Sequence, residues 1–334
     1  MGCELDKKIN KPFRFKYLRK YLYKISLLAF FFFSLLKFLF MKKLYILFFL
    51  TIGFFANAQI VNIPDANFMY WLLSASPSNT TASTETPVFN PTTGTWSVSS
   101  YSVVDANGDG EIQVSEAQAI KFLNVYNGSI YDLQGISSFT NLEFLNINSN
   151  PITSLNVSAL SNLKGLTCAY TQLTSLNVLA LSNLKSLNCT ANSFTNLNVS
   201  GLTNLQYLAF TNCTLLTSLN VSGCVSLQNL WCPSNQLTGL DVSGLTNLQM
   251  LDCSQNQIAS LNVSGCSSLQ KIQCQYNQIS SLDVSSLTNL NILECYTNQM
   301  INLNTSSCFN LQSLACQDNQ ITSLDVSSLN NLQY

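Results

Sequence analysis

"LQMLDCSQNQIASLNVSG" at 248–265 returns three times at steps of 21 residues, as "LQKIQCQYNQISSLDVSS" (269–286), "LNILECYTNQMINLNTSS" (290–307) and "LQSLACQDNQITSLDVSS" (311–328). A fixed period near 20 residues is the sequence mark of a solenoid, in which each unit buries its apolar side only by stacking on its neighbours. Working outward, units begin at 139, 160, 181, 202, 224, 245, 266, 287 and 308, with a divergent unit at 117–138 before them. Of these nine complete units only 202–223 has 22 residues instead of 21.

The repeat L-x-x-L-x-C-x-x-N-x-L/I-x-x-L resembles that of the leucine-rich-repeat family, L-x-x-L-x-L-x-x-N/C-x-L. More narrowly it resembles a 21-residue, cysteine-containing bacterial subtype in which "TSLNVS" echoes the first half of the unit. The resemblance runs from Ala117 to Tyr334 and implies a β-rich solenoid, a right-handed coil with one short parallel strand per unit on its concave side. So short a period leaves no room for a full helix on the convex side. "SLNVS" is therefore expected to be extended or weakly stranded, with little helix outside an N-terminal cap and the leader.

The cysteines are read by comparing units. The slot of Cys253 holds Cys168, Cys189, Cys232, Cys274, Cys295 and Cys316 elsewhere, but Ile147 and Phe210 in two units, so it is an apolar interior slot. Cys224, Cys266 and Cys308 stand where other units carry Leu160, Leu181, Leu202, Leu245 or Leu287. Cysteine thus fills space as a small hydrophobe. Disulfides are the alternative for an exported chain. Each of Cys224, Cys266 and Cys308 has a partner eight residues on, yet Cys168, Cys189, Cys253 and Cys295 would stay unpaired. Stacked parallel side chains about 4.8 Å apart must also turn to reach disulfide geometry. Zinc is disfavoured, since there are no C-x-x-C pairs and no histidines. Asn150, Asn192, Asn235, Asn256, Asn277, Asn298 and Asn319 follow each strand, with Thr171 and Cys213 as substitutes. In the family such a side chain bonds the backbone of the neighbouring turn, which makes this a structural ladder.

Charge divides the chain. Eleven of the 15 Lys and Arg lie at or before Lys43, and 14 of the 16 acidic residues lie after Gln59. From Gln59 onward four lysines face 14 carboxylates, a formal charge of −10, which excludes a nucleic-acid partner. Residues 41–58, "MKKLYILFFLTIGFFANA", have the basic start, apolar stretch and small-residue end of a secretory signal peptide cut before Gln59. Residues 1–40 are a basic and then apolar leader, read as a start placed too far upstream, with a membrane anchor as the alternative. The expected location is secreted or cell-surface, with a membrane reached only through the leader or a C-terminal anchor.

Residues 59–116 are expected to form the N-terminal cap, with a helix at "IPDANFMYWLLSA" capped by Asp65 and a Ser/Thr/Pro-rich loop at 76–100. Its end, "DANGDGEIQVSE" (105–116), resembles an EF-hand calcium loop. The resemblance implies Asp105, Asn107 and Asp109 at positions 1, 3 and 5, Gly110 at the turn, the Glu111 carbonyl, Gln113 at 9 and Glu116 at 12. It departs from the motif upstream, where "WSVSSYSVV" reads as β and not as helix. A structural Ca²⁺ that fixes the cap is the expectation.

Function is expected on the concave strands. Phe144, Tyr170, Tyr207, Trp231, Tyr276 and Tyr296 fall there among amide side chains, a composition suited to protein or glycan recognition. The implied activity is that of a binding protein similar to leucine-rich-repeat adhesins and internalin-like proteins, not an enzyme. Asp252 and Glu294 share a column about 10 Å apart by strand spacing, slightly wide for a glycosidase pair, with Gln273 between them. A structural or ice-binding rod is a further alternative, raised by the column Thr153, Thr174, Thr195, Thr217, Thr238 and Thr322 and weakened by Ala259, Ser280 and Ile301. "LNNLQY" (329–334) reads as the start of a tenth unit, so a longer natural product, monomeric when full length, is expected.

Overall fold

A computed structural model of the chain describes residue 28, residues 31–42 and residues 59–333. The chain divides into two units, Met1–Ala58 and Gln59–Tyr334. In the first, residues 31–42 are helical, and among the described residues no helix is long and apolar enough to cross a membrane. The signal peptide read at 41–58 and most of the leader at 1–40 lie outside the described residues.

The second unit opens with helix α1 (Ala66–Leu73), where Asp65 accepts from the backbone N–H groups of Asn67 and Phe68 and so caps the first turn. Its buried face is Phe68 and Leu72. Three short strands follow, β1 (Ala82–Ser83), β2 (Val88–Asn90) and β3 (Thr95–Ser97), and then α2 (Val114–Ala119). The stretch 76–100 is therefore not a plain loop. Around the Pro91–Gly94 turn, β2 and β3 pair antiparallel into a hairpin.

From there the chain coils. Strands β4 (Phe122–Asn124), β5 (Phe144–Asn146), β6 (Gly165–Thr167), β7 (Ser186–Asn188), β9 (Tyr207–Ala209), β11 (Asn229–Trp231), β13 (Met250–Asp252), β15 (Lys271–Gln273), β17 (Ile292–Glu294) and β19 (Ser313–Ala315) stack in parallel, and β1 adds antiparallel at the first edge to complete 11 strands. Register is set one unit to the next: Leu230 lies beside Leu251, Leu251 beside Ile272, and Ile272 beside Leu293. These residues point inward and are fully buried, so their neighbours on either side must face the concave surface. On the opposite side the "SLNVS" segment is stranded in six of the nine units, in three separate parallel pairs: β8 (Asn196–Asn198) with β10 (Ser218–Asn220), β12 (Gly239–Asp241) with β14 (Ser260–Asn262), and β16 (Ser281–Asp283) with β18 (Asn302–Asn304). The fold is a leucine-rich-repeat coil.

Each coil turns off its concave strand through a left-handed residue that is not glycine: Ser149, Tyr170, Ala191, Asn212, Ser234, Gln255, Tyr276, Thr297 and Asp318 all have φ between 51 and 58°. That conformation is unfavourable for an L-residue. The ladder asparagine next in sequence holds it in place. Asn277 Nδ2 donates to the carbonyls of Cys253 and Cys274, both at 3.0 Å, while its Oδ1 accepts from Ile258 N at 2.9 Å. Asn150, Asn192, Asn235, Asn256, Asn298 and Asn319 repeat the arrangement. The substitutes Thr171 and Cys213 bond the backbone of the same turns, at Cys168 O and Cys189 O. A second ladder passes unread in the sequence. Asn141, Asn162, Asn183, Asn204, Asn247, Asn289, Asn310 and Asn331 each donate to a carbonyl in the coil before.

The 11 cysteines of the solenoid are all free, and all but the partly exposed Cys316 are buried. They pack with the leucines in one continuous core that also includes Phe68 and Leu72 of the cap.

Candidate functional site

Two columns of side chains on the concave sheet follow from its register. The residue before each buried leucine gives Phe122, Phe144, Gly165, Ser186, Tyr207, Asn229, Met250, Lys271, Ile292 and Ser313. The residue after it gives Asn124, Asn146, Thr167, Asn188, Ala209, Trp231, Asp252, Gln273, Glu294 and Ala315.

The hairpin β2–β3 lies along the first of these columns as an arm. Phe89 stacks on Trp96 at 4.7 Å between ring centroids, Trp96 on Phe144 at 5.7 Å, and Phe144 on Phe122 at 4.9 Å. Trp96 Nε1 donates to Ser186 Oγ at 2.6 Å. The Trp96 indole occupies the space beside Gly165 where any side chain would stand, and a Cβ there would collide with Nε1. At the tip Gly94 abuts the Tyr207 ring, and Asn229 Nδ2 donates to the Pro91 carbonyl at 3.0 Å. At its root Glu85 accepts from the hydroxyls of Ser100 and Ser99, both at 2.6 Å, bonds that hold its carboxyl down to about 2. Lys121 reaches Thr86 at 3.0 Å, and Glu143 pairs with Lys164 at 2.6 Å beside it.

The six aromatic residues assigned to the concave face therefore do not form one patch. Phe144 is buried under the arm and Tyr207 is wedged against its tip, with burial pushing the Tyr207 phenol up. Tyr170 is exposed on a left-handed turn beside the arm-covered half. Trp231 lies level with the tip, on β11 with Asn229, and Tyr276 and Tyr296 lie beyond it on the open half. Tyr276 and Tyr296 meet edge to face at 5.3 Å, and desolvation, followed by the neighbouring Tyr276 and Glu294, raises the Tyr296 phenol.

Polar groups gather in the same region, among them the Asp252–Gln273–Glu294 column. Asp252 Oδ1 accepts from Ser254 N at 3.0 Å and from Ser254 Oγ at 2.7 Å. Gln273 Nε2 donates to Glu294 Oε2 at 2.9 Å. Trp231 Nε1 and Gln275 Oε1 are buried without any hydrogen-bond partner among the described residues.

The cap loop is a separate candidate. Asp105 accepts from Gly108 N at 2.7 Å and Gly110 N at 3.0 Å, while Glu116 accepts from Ala106 N at 2.8 Å and Gln113 N at 2.9 Å. Gly110, at φ 83°, makes the bend. Asp109 accepts from the amide groups of Asn107 at 2.9 Å and Gln113 at 2.8 Å, and the backbone N–H of Glu111 is the main cause of its lowered pKa. Among the described residues no three His, Cys, Asp or Glu side chains converge on one point. The donor set is nonetheless all oxygen once the Asn107 and Gln113 amides turn, which suits a hard cation.

A family model described as leucine-rich repeats in two copies matches residues 225–265, and one described as a leucine-rich repeat matches 141–163. No curated protein matches the chain. Among solved structures the chain is similar to the functional domain of InlJ from Listeria monocytogenes, described as including a cysteine ladder, with 28% identity, 66% of this chain and 59% of that chain covered, and a TM-score of 0.41. It is also similar to internalin C2 of Listeria monocytogenes, with 24% identity, 66% and 82% covered, and a TM-score of 0.43. A leucine-rich-repeat protein of Leptospira interrogans has 23% identity, 60% and 67% covered, and a TM-score of 0.38. The chain thus spans 59% of the InlJ chain's length.

Proposed function

We propose that this chain is a secreted or cell-surface binding protein, bacterial and internalin-like in architecture, that recognises a protein ligand on the open half of its concave sheet and catalyses no reaction. One observation carries the reading: from the arm tip onward the concave side presents aromatic and polar side chains together, with Trp231 Nε1 and Gln275 Oε1 buried and unpartnered among the described residues. Unpaired buried polar atoms cost free energy, which a ligand supplying the missing bonds would recover. Export rests on the signal-like segment 41–58. Catalysis is disfavoured because the chain has no histidine, and the carboxylates of Asp252 and Glu294 are separated by Gln273 at about 10 Å. A flat ice-binding array is disfavoured by the division of the convex strands into separate pairs. We also propose a structural Ca²⁺ on Asp105, Asn107, Asp109, the Glu111 carbonyl, Gln113 and Glu116.

The test is binding of the labelled full chain to host-cell and matrix surfaces. Trp231→Ala with Tyr276→Ala is compared with convex-face changes at Asn220 and Asn262. Loss of at least about tenfold in affinity from the concave pair alone is expected, as for aromatic anchors in an interface. Equal loss from the convex changes, or none from the concave pair, refutes the reading.

A further inference from the structure

We infer that the open half of the concave sheet takes an extended protein segment bearing lysine or arginine, which lies in line with the arm and starts where its tip ends. This rests on the concave-face reading above and goes beyond it by fixing the position and charge of the partner.

The arm shows what the surface accepts. It is a hairpin whose contacts progress along the coil axis, from Thr86 beside Glu143 through Trp96 on Phe144 and Ser186 to Pro91 on Asn229. It stops at β11. In the same column Met250, Lys271 and Ile292 continue the track, all partly exposed.

The second column changes character at the same place. Under and beside the arm it is uncharged, from Asn124 to Ala209. From the tip onward that column reads Trp231, Asp252, Gln273 and Glu294, with Asp318 on a turn further along. None of these three carboxylates has a lysine within 4.0 Å, Lys271 included, for Lys164–Glu143 is the one ion pair among the described residues. Asp252 is only 9% exposed, so its charge is partly desolvated as well as unpaired.

Two further observations point to a ligand rather than to a solvated acidic face. Gln275, also 9% exposed, holds its Oε1 without a donor, an acceptor suited to an N–H of an incoming chain. Trp231, Tyr276 and Tyr296 present aromatic rings next to the carboxylates, and a cation is attracted by both at once. An acidic segment would instead meet like charge with no cation but Lys271 to receive it.

The experiment selects binders from a random 12-residue peptide display library on the full chain, then measures one selected peptide made synthetically. The chain has three tryptophans, so three indole N–H resonances report on Trp71, Trp96 and Trp231, and Trp231→Phe identifies the third. Selected peptides should carry more Lys and Arg than Asp and Glu, and should shift the Trp231 resonance but not that of Trp96. Affinity should fall at least about fivefold in Asp252→Asn with Glu294→Gln, near-isosteric changes, and should weaken as salt rises. Peptides that move Trp231 without charge preference, or bind the double variant unchanged, overturn this inference and leave the concave-face reading standing. Peptides that leave Trp231 unmoved overturn both, and a Trp231 response to oligosaccharides instead of peptides assigns the site to a glycan.

Discussion

Cys253 sits fully buried between Leu251 and the ladder asparagines, in a slot that other coils fill with Ile147 or Phe210. The slot asks for apolar volume, and the thiol supplies it. Cys253→Val should therefore cost less than about 1.5 kcal/mol in urea unfolding. Cys253→Asp should cost more than about 3 kcal/mol, because an unpaired carboxylate would replace an uncharged thiol in the core. Similar losses from the two changes would mean that the sulfur itself is needed. Cys316 differs in being partly exposed, where its counterparts Cys274 and Cys295 are buried. Under native conditions a thiol reagent should spare the ten buried cysteines of the solenoid, which should react only on unfolding. Peptide mapping that finds Cys253 or Cys274 labelled in the folded protein would contradict this.

The arm is the element on which the concave face turns. Its indole lies over the bare Cα of Gly165, so Gly165→Val places a side chain where Trp96 now packs and should lift the arm while leaving the inward leucines untouched. Hydrogen exchange at residues 88–97 should then accelerate at least about tenfold with only a modest fall in Tm. Unchanged protection there would show that the arm is held elsewhere. The cap loop is the second element with a consequence. If Ca²⁺ binds Asp105, Asn107, Asp109 and Glu116, the folded state gains stability by mass action, about 2.7 kcal/mol at a hundredfold excess over Kd. Adding Ca²⁺ to EDTA-treated protein should raise Tm by several degrees, and Asp105→Asn should abolish the rise. A Tm indifferent to both leaves the loop held by its own hydrogen bonds.

The thiols make the whole solenoid sensitive to alkali. Burial raises Cys232, Cys253 and Cys274 well above the ordinary thiol range, Cys295 to about 12, and Cys224, Cys266 and Cys308 to about 11. A raised thiol pKa means that the folded chain keeps protons the unfolded chain releases above about 8.5. The stabilising contribution is thus complete below that pH and is lost as pH rises toward the folded values. Each fully buried thiol removes about 1.4 kcal/mol per pH unit in that window, so a few acting together rival a domain's entire stability. Tm should be nearly flat from pH 6 to 8 and fall steeply between about pH 9 and 11. A variant with Val at Cys232, Cys253 and Cys274 should lose part of that slope, and a Tm that stays level through pH 10.5 would contradict buried neutral thiols.

The period, the inward leucines, the apolar cysteine slots and the asparagine ladder were legible from residue order alone, because a solenoid packs each unit against the next at constant separation. Nearest-neighbour contacts are then a function of position within the repeat, and comparing units reveals them directly. The helix capped by Asp65 was legible for the same local reason. The second ladder was available too, in the asparagine that precedes a buried leucine in "TNL" and "SNL", but its partners lie in the coil before and only the fold displays them. What tertiary structure alone decided is how much of the concave face is free. The hairpin touches residues up to 138 positions away, at Asn229, and nothing periodic marks "VFNPTTGTWS" as the strip that will cover Phe144 and reach Tyr207. Local sequence carries the pairing of β2 with β3. Where that pair docks depends on complementary shape between Trp96 and Gly165, two residues that meet only after the coil has formed.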